Sequence, residues 1–526
     1  QLSRTSLHHG CQTVGSLRGA PSHQYNPFVI LADTGASETQ GECYGFSLLY
    51  SGNFLAEAEM DQFNQTRVIM GIHPENFSYK LEPGESFWTP GAAMVYSDAG
   101  FEKMSHIYHR AIRSNLCRGR FKHARRPVLM NNWEGTYFDF TGEKLLDMAE
   151  KAADLGIELF VMDDGWFGKR DTDSSGLGDW HVNEKKLGCT LTELSDKIHE
   201  MGMKFGIWYE PEGISEDSGL YREHPDWVLH VPGRRPMRGR YQLVLDFSRE
   251  DVRNYIFDQM CKVLDHVKVD YLKWDFNRSI SDVYSSRLPA ERQGEVPHRY
   301  VLGLYEFLER LGRRYPDMLI EGCSGGGGRF DAGMLYYTPQ IWCSDDTDAI
   351  ERLEIQYGTS FCYPVSTMGA HVSACPNHQT GRTTPLKTRA VVAMAGTFGY
   401  ELDPGKLSEE EKEEVRKQIT AFKKYYELIQ EGDYFRLTDP ARDEHYAAWE
   451  FADQEGKEAL LSVVASKVRT NDPPSRVLLR GLREDAVYEM NGKEYLGGAL
   501  MHGGFPLPEA SEEYQSWMFH FQIKEK

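Results

Sequence analysis

The sequence predicts an α/β protein: a (β/α)8 TIM barrel preceded by a partial β-sandwich and followed by a small antiparallel β-domain. Three observations carry this. From residue 127 to about 400, short apolar runs ending in polar or aromatic clusters alternate with amphipathic helical segments, the pattern of βα units. About eight such units fit this length, as a closed parallel barrel requires. On both flanks the pattern changes to short strands parted by polar and Gly-containing turns.

At 526 residues the chain exceeds one core, and the divisions fall at 1–120, 121–435 and 436–526. In the first segment, residues 28–31, 45–50, 67–72 and 92–96 read as strands, with a turn at Glu82-Pro83-Gly84-Glu85 and a helix over 100–115. The barrel runs are 128–133, 158–164, 204–210, 271–278, 318–323 and 340–345, then a weaker one over 361–366, then Val391-Val392-Ala393-Met394-Ala395. Helices over 143–155 and 191–201 repeat apolar positions at helical spacing. A charged amphipathic helix over 407–430 closes the barrel. Strands over 446–450, 459–464 and 475–479 follow, broken at Asp472-Pro473-Pro474.

Composition narrows the function. Hydrophobic residues make up 40% and charged residues 26%, ordinary for a globular protein. A net charge of −20 excludes a nucleic-acid surface, no apolar run is long enough to span a bilayer, and Gln1-Leu2-Ser3-Arg4 is no signal peptide. A neutral substrate fits better. The nine cysteines are scattered, odd in number and contain no C-x-x-C pair, so reduced thiols in a cytoplasmic protein are expected, with no cofactor and no metal.

The central stretch is Tyr271-Leu272-Lys273-Trp274-Asp275-Phe276-Asn277-Arg278. Alternation along a strand puts Lys273 and Asp275 on one face, and Trp274 and Phe276 on the other. At a C-terminal strand end that face looks into the barrel mouth, where an ammonium keeps a neighbouring carboxylate ionised. Taken alone, a Lys-x-Asp is more often a structural ion pair; the other strand ends change the balance. Trp133, Trp166, Trp208, Trp274 and Trp342 fall at or beside them, with carboxylates at Asp163, Asp164, Glu210, Asp275, Asp345, Asp346 and Asp348. Aromatic faces suit the C–H faces of a sugar and carboxylates accept from its hydroxyls.

Gly165 frees the backbone so that Asp163 and Asp164 can both turn inward, to bind hydroxyls rather than a metal. The four glycines after Cys323-Ser324 lack a P-loop ending and suit close approach of backbone to a ligand. In Ser344-Asp345-Asp346-Thr347-Asp348 one of the first two carboxyls enters the pocket. With Asp275 it makes the two-carboxylate set of glycoside hydrolysis.

Met162-Asp163-Asp164-Gly165-Trp166-Phe167-Gly168, Trp208-Tyr209-Glu210-Pro211-Glu212, Lys273-Trp274-Asp275-Phe276-Asn277-Arg278, Cys323-Ser324-Gly325-Gly326-Gly327-Gly328-Arg329-Phe330-Asp331 and Trp342-Cys343-Ser344-Asp345-Asp346-Thr347-Asp348-Ala349 resemble, in order, the bacterial α-galactosidases of glycoside hydrolase family 36. So do Arg18-Gly19-Ala20-Pro21-Ser22-His23-Gln24 and Met368-Gly369-Ala370-His371-Val372-Ser373. The resemblance implies a retaining α-galactosidase acting on galactoside oligosaccharides of the melibiose and raffinose type, with Asp275 as nucleophile and Asp345 as general acid and base. It implies that Asp163 and Asp164 hold the 4- and 6-hydroxyls and that Lys273 holds ring hydroxyls. Trp133 and Trp208 would cover the sugar faces, Arg240 would meet the substrate, and the loop with Cys323 and Gly325 would border the 2-position. Glu210 and Glu212 are then structural.

The family forms tetramers, so a homo-oligomer is expected. Relative to the family, the chain starts inside the β-sandwich, and Gly213 replaces a bulky apolar residue, which would loosen one wall. The alternatives are an α-N-acetylgalactosaminidase of the same family and a non-catalytic galactoside-binding protein.

Overall fold

The computed structural model describes residues 2–443, 445–471 and 474–524. Asp472 and Pro473 of the anticipated break lie outside them. Two three-stranded antiparallel sheets open the chain: Gly10–Ser16, Phe54–Met60 and Thr66–Ile72 in one, Phe28–Ala32, Cys43–Leu48 and Ala92–Ser97 in the other. The strands Gly10–Ser16 and Phe54–Met60 escape a reading by hydrophobicity, because glycine, threonine and glutamate break their alternation. Helix Gly100–Ala111 buries Met104 and Tyr108 under the second sheet, where the Tyr108 ring meets Phe28 edge-on at 5.5 Å.

The barrel strands are β1 (Leu129–Asn131), β2 (Leu159–Met162), β3 (Lys204–Tyr209), β4 (Tyr271–Trp274), β5 (Leu319–Gly322), β6 (Gln340–Trp342), β7 (Met368–Gly369 with His371–Ser373) and β8 (Gly399–Glu401). All neighbours pair in parallel. β7 is interrupted only at Ala370; its first half pairs with β6 and its second with β8, which pairs with β1 and completes the ring. Most strand residues are buried on both faces, as expected of a sheet lined outside by helices and packed inside by its own side chains.

Two barrel assignments are corrected. Val391-Val392-Ala393 belongs to helix Leu386–Ala393, and β8 follows it. From Thr388 on the helix is buried throughout, so its run of apolar residues has no amphipathic period to distinguish it from a buried strand. Residues 361–366 form turns and the start of a 3-10 turn, Val365–Thr367, because Pro364 withholds a ladder donor; β7 begins immediately after.

Helix Glu409–Glu431 starts at a capping box, Ser408 with Glu411, and packs between the barrel and the C-terminal sheet. Lys423 on this helix and Arg125 reach Glu158, at the base of β2. The C-terminal unit is a six-stranded antiparallel sheet ordered Asp433–Arg436, Tyr446–Ala452, Glu458–Ala465, Ser516–Ile523, Val487–Met490, Lys493–Leu496, with a separate two-stranded pair, Arg476–Val477 and Phe505–Pro506.

The N-terminal segment also grips the barrel mouth. Ser22 N donates to Gly328 O at 2.8 Å, Asn26 Nδ2 to Phe330 O at 2.6 Å, and Ile280 N to Arg18 O at 2.8 Å. His23 Nε2 lies 2.5 Å from Gly325 O.

Candidate active site

Asp275 stands just past the end of β4, on the face it shares with Lys273. Its Oδ2 accepts from Trp208 Nε1 at 3.2 Å and from Asn277 Nδ2 at 2.7 Å; its Oδ1 accepts from Phe276 N at 2.8 Å and Gly325 N at 3.2 Å. Burial alone would raise this carboxyl, but Lys273, the Cys323 thiol, Arg240 and Asn277 together hold it below the ordinary carboxylate range. Asn277 is fixed in turn by Glu210, which accepts from its backbone N at 2.5 Å and its Nδ2 at 2.9 Å. Burial, then the charge of Asp275, push Glu210 up to about 7. The opposite face behaves as alternation requires: Trp274 packs on Phe307 at 5.3 Å and Phe276 lies under Arg329, 4.8 Å from its guanidinium.

Asp163 and Asp164 follow β2 and are both buried. Asp163 Oδ2 accepts from Asn131 Nδ2 at 2.6 Å and Lys273 Nζ at 2.9 Å, so three strands meet at one carboxylate. Gly165, at φ +114°, makes the turn that brings the pair inward. Asp164 is held by a fork from Arg170, Nη2 to Oδ2 at 2.8 Å and Nε to Oδ1 at 3.0 Å. Burial raises Asp164 against this pairing. Arg170 escapes sequence reading because its loop has no period.

Asp345 leaves the end of β6 with its surface open to solvent, in a cleft whose walls displace much of the surrounding water. That desolvation, then the nearby charge of Asp275, raise its carboxyl, while Lys273 and Arg240 oppose the shift. The Asp346 carboxyl turns back on its own loop, accepting from Asp348 N at 3.1 Å, and its backbone N donates to Ser344 Oγ at 3.0 Å.

The glycine loop touches both aspartates, Asp275 at its carboxylate and Asp345 at its backbone. Gly325 N donates to Asp275, and Gly326, at φ +86°, backs so closely onto Asp345 that a Cβ there would come within 2.5 Å of the Asp345 backbone N. Gly326→Ala is therefore expected to push the Asp345 loop aside. An ångström of misplacement costs about 10²-fold in rate. Initial rates beside a melting curve check that activity falls by about this much while the fold persists.

Cys323 is buried, and its Sγ accepts from Gly326 N at 3.4 Å. Trp208 is buried with only its indole N–H engaged at Asp275. Trp133 is half-buried at the start of helix Trp133–Thr136, edge-on to Tyr137 and Phe138 at 5.3 and 5.2 Å. Arg240 is half-exposed at φ +48°, 3.9 Å from Asp173, and its charge reaches Asp275 and Asp345.

Two expectations change, and one pair is new. Trp166, Trp208 and Trp274 are fully buried, Trp166 among Phe167, Trp180 and Tyr209 and Trp208 stacked on Phe167 at 6.2 Å, so their rings are not available to a sugar face, against the role the resemblance implies for Trp208. Gly213 loosens no wall: its position is filled by Gln242, whose Oε1 would lie 2.3 Å from a Cβ and whose Nε2 donates to Glu210 at 3.0 Å. The His371–Glu401 pair, with Nδ1 3.0 Å from Oε2, joins the site through β7 and β8 and was not anticipated. Away from the barrel, Cys11, Glu57 and Glu59 come together on the outer N-terminal sheet, with Glu59 already paired to Arg67.

A closed parallel barrel with Asp275 and Asp345 at the ends of β4 and β6 carries the two-carboxylate set that glycoside hydrolysis requires. Comparison with known proteins then gives the family. The Melibiase family matches residues 86–432, the glycosyl hydrolase family 36 N-terminal domain residues 1–82, and its C-terminal domain residues 446–521. The chain belongs to glycoside hydrolase family 36.

It is 58% identical, over its whole length, to the bifunctional alpha-galactosidase/sucrose kinase AgaSK of Mediterraneibacter gnavus, and spans 55% of that protein. It is 52% identical to alpha-galactosidase AgaA of Geobacillus stearothermophilus, with 99% of this chain and 72% of AgaA covered. The crystal structure of AgaA superposes with a TM-score of 0.97, covering 98% of this chain and 72% of that one. A form of AgaA in complex with raffinose has a TM-score of 0.98 at 51% identity, covering 99% of this chain and 73% of that one.

Proposed function

We propose that the chain hydrolyses terminal α-linked galactose from oligosaccharides of the melibiose and raffinose type by double displacement with net retention. The observation that carries this is the pair of carboxylates at the barrel mouth, Asp275 shifted down and Asp345 shifted up. Asp275, ionised, attacks the anomeric carbon while Asp345, protonated, gives its proton to the leaving oxygen as that C–O bond breaks. Asp345, now a carboxylate, takes a proton from water, and the water oxygen displaces Asp275 to release galactose. Asp163 and Asp164 hold the 4- and 6-hydroxyls, Lys273 the ring hydroxyls and Trp133 a sugar face, while the buried Trp208 orients Asp275 through its indole N–H. Arg240 meets the substrate, and Cys323 and Gly325 border the 2-position. The likeness to AgaA, which binds raffinose in one crystal form, supports the substrate class.

The catalytic unit on this reading is 121–435, flanked by 1–120 and 436–526. The protein works as a cytoplasmic homo-oligomer; its nine free thiols agree with a reducing compartment. The test is hydrolysis of paired p-nitrophenyl α-galactoside and α-N-acetylgalactosaminide. Turnover of the first is expected; turnover of the second alone would replace the specificity.

The two shifts also set a pH dependence. kcat/KM rises as Asp275 ionises, on a limb below the ordinary carboxylate range, and falls as Asp345 loses its proton, on a limb above it. A pH profile of kcat/KM with a bell of this asymmetry is the expected result; a profile flat on its alkaline side would remove Asp345 as the acid.

A further inference from the structure

Asp345 sits on a loop, yet a proton donor must be held to a fraction of an ångström. Two neighbours with no part in the reaction scheme hold it. Trp342, at the end of β6 and 2% exposed, donates its indole N–H to Asp345 Oδ1 at 3.0 Å. Arg352, in helix Ala349–Thr359 and 4% exposed, donates Nη2 to Ser344 O at 2.7 Å, Nε to Asp346 O at 2.7 Å and Nη1 to Gly369 O at 3.1 Å. Its contacts therefore straddle Asp345 in the chain and tie that loop to β7.

Among the described residues no carboxylate pairs with Arg352. All three of its side-chain hydrogen bonds go to backbone carbonyls, while Glu134, Glu401 and Asp346 feel its charge from further away, so what it holds directly is the backbone geometry around Asp345. The same guanidinium lies 4.5 Å from the centre of the Trp342 ring, and the His371 ring packs on that indole at 4.3 Å, itself held by Glu401 at 3.0 Å. Among the described residues Asp345 Oδ2 has no hydrogen-bond partner, which leaves it to face the leaving oxygen.

We propose that Trp342 and Arg352 are positioning residues for Asp345: Arg352 fixes the backbone on both sides of it, and the Trp342 N–H fixes its carboxyl so that Oδ2 carries the proton. This rests on the reading of Asp345 as general acid and base. As the proton passes from Oδ2 to the glycosidic oxygen and the C–O bond breaks, the neutral carboxyl becomes a carboxylate. The Trp342 hydrogen bond strengthens with that charge, so it favours the transition state over the bound substrate.

The test compares the whole chain carrying Trp342→Phe, Arg352→Lys or Asp345→Asn on a series of aryl α-galactosides, from 2,4-dinitrophenyl to phenyl, and on melibiose. kcat/KM reports events up to the covalent intermediate, and a good leaving group needs no proton there. Trp342→Phe and Arg352→Lys are expected to lower kcat/KM about 10- to 100-fold for phenyl galactoside and melibiose, and less than about threefold for the dinitrophenyl substrate.

A second readout separates this from a merely structural role. The groups facing Asp345 are Asp275, Lys273, Arg240 and Glu401, and all remain in Trp342→Phe. Losing a donor that favours the carboxylate should move the alkaline limb of kcat/KM to higher pH. Equal losses across leaving groups with an unmoved limb would overturn the proposal. Asp345→Asn distinguishes its foundation: if that variant shows no leaving-group dependence, the assignment of Asp345 fails first. Should Arg352→Lys not fold, Trp342→Phe decides alone.

Discussion

Asp275→Ala is expected to reduce galactoside hydrolysis by about 10⁴-fold or more, because no other group can form the bond to the anomeric carbon. The four donors now on its carboxylate, from Trp208, Phe276, Asn277 and Gly325, would surround a small cavity rather than collapse into it. Azide can enter that space as an external nucleophile on the same face. With an activated aryl galactoside, partial recovery with β-galactosyl azide as product is the expected outcome, read by product analysis. Recovery giving the α-azide would mean the nucleophile lies elsewhere.

The second large effect is on stability. Glu212 is fully buried, receives Arg329 through Nη2 at 2.7 Å and Nη1 at 2.9 Å, and also accepts from Trp274 Nε1 at 2.9 Å and Tyr300 OH at 2.7 Å. Glu212→Ala strands the buried Arg329 guanidinium, which lies over the Phe276 ring and, among the described residues, has no other ion-pair partner. Removing one partner of a buried pair costs about 3–5 kcal/mol, whereas replacing both with apolar groups of similar volume is often neutral. The denaturant midpoint should fall steeply for Glu212→Ala and much less for Glu212→Met with Arg329→Met. Equal losses in the two would show that Trp274 and Tyr300, rather than the ion pair, depend on Glu212.

Much of this site is legible in the linear sequence because strand geometry has a period of two. Lys273 and Asp275 must share a face, and Trp274 and Phe276 must share the other, whatever surrounds them. The same rule puts one of Asp345 and Asp346 in the pocket without saying which, and Asp163 and Asp164 turn in together only because Gly165 follows them. The groups that hold those carboxylates follow no such rule. Arg170, Asn131 and Arg352 reach them through tertiary packing, so nothing in their local sequence marks them. Glu401 escapes for a simpler reason: the buried stretch of the preceding helix reads as the last strand, which puts the true β8, with Glu401, in the loop after it.

The grip of residues 18–26 on the barrel mouth has a practical meaning for anyone cutting or recombining this protein. The family's N-terminal domain is matched over residues 1–82 and the Melibiase region starts at 86, which invites a splice at that seam. Yet Ser22, His23 and Asn26 lie on the far side of the splice from the loop they bind, and that loop supplies Gly325 to Asp275. A chimera joined at residue 86 would inherit the catalytic side chains from one parent and the bracing of their loop from the other. The unit that must travel together is therefore mechanical, and it crosses the boundary drawn by sequence families.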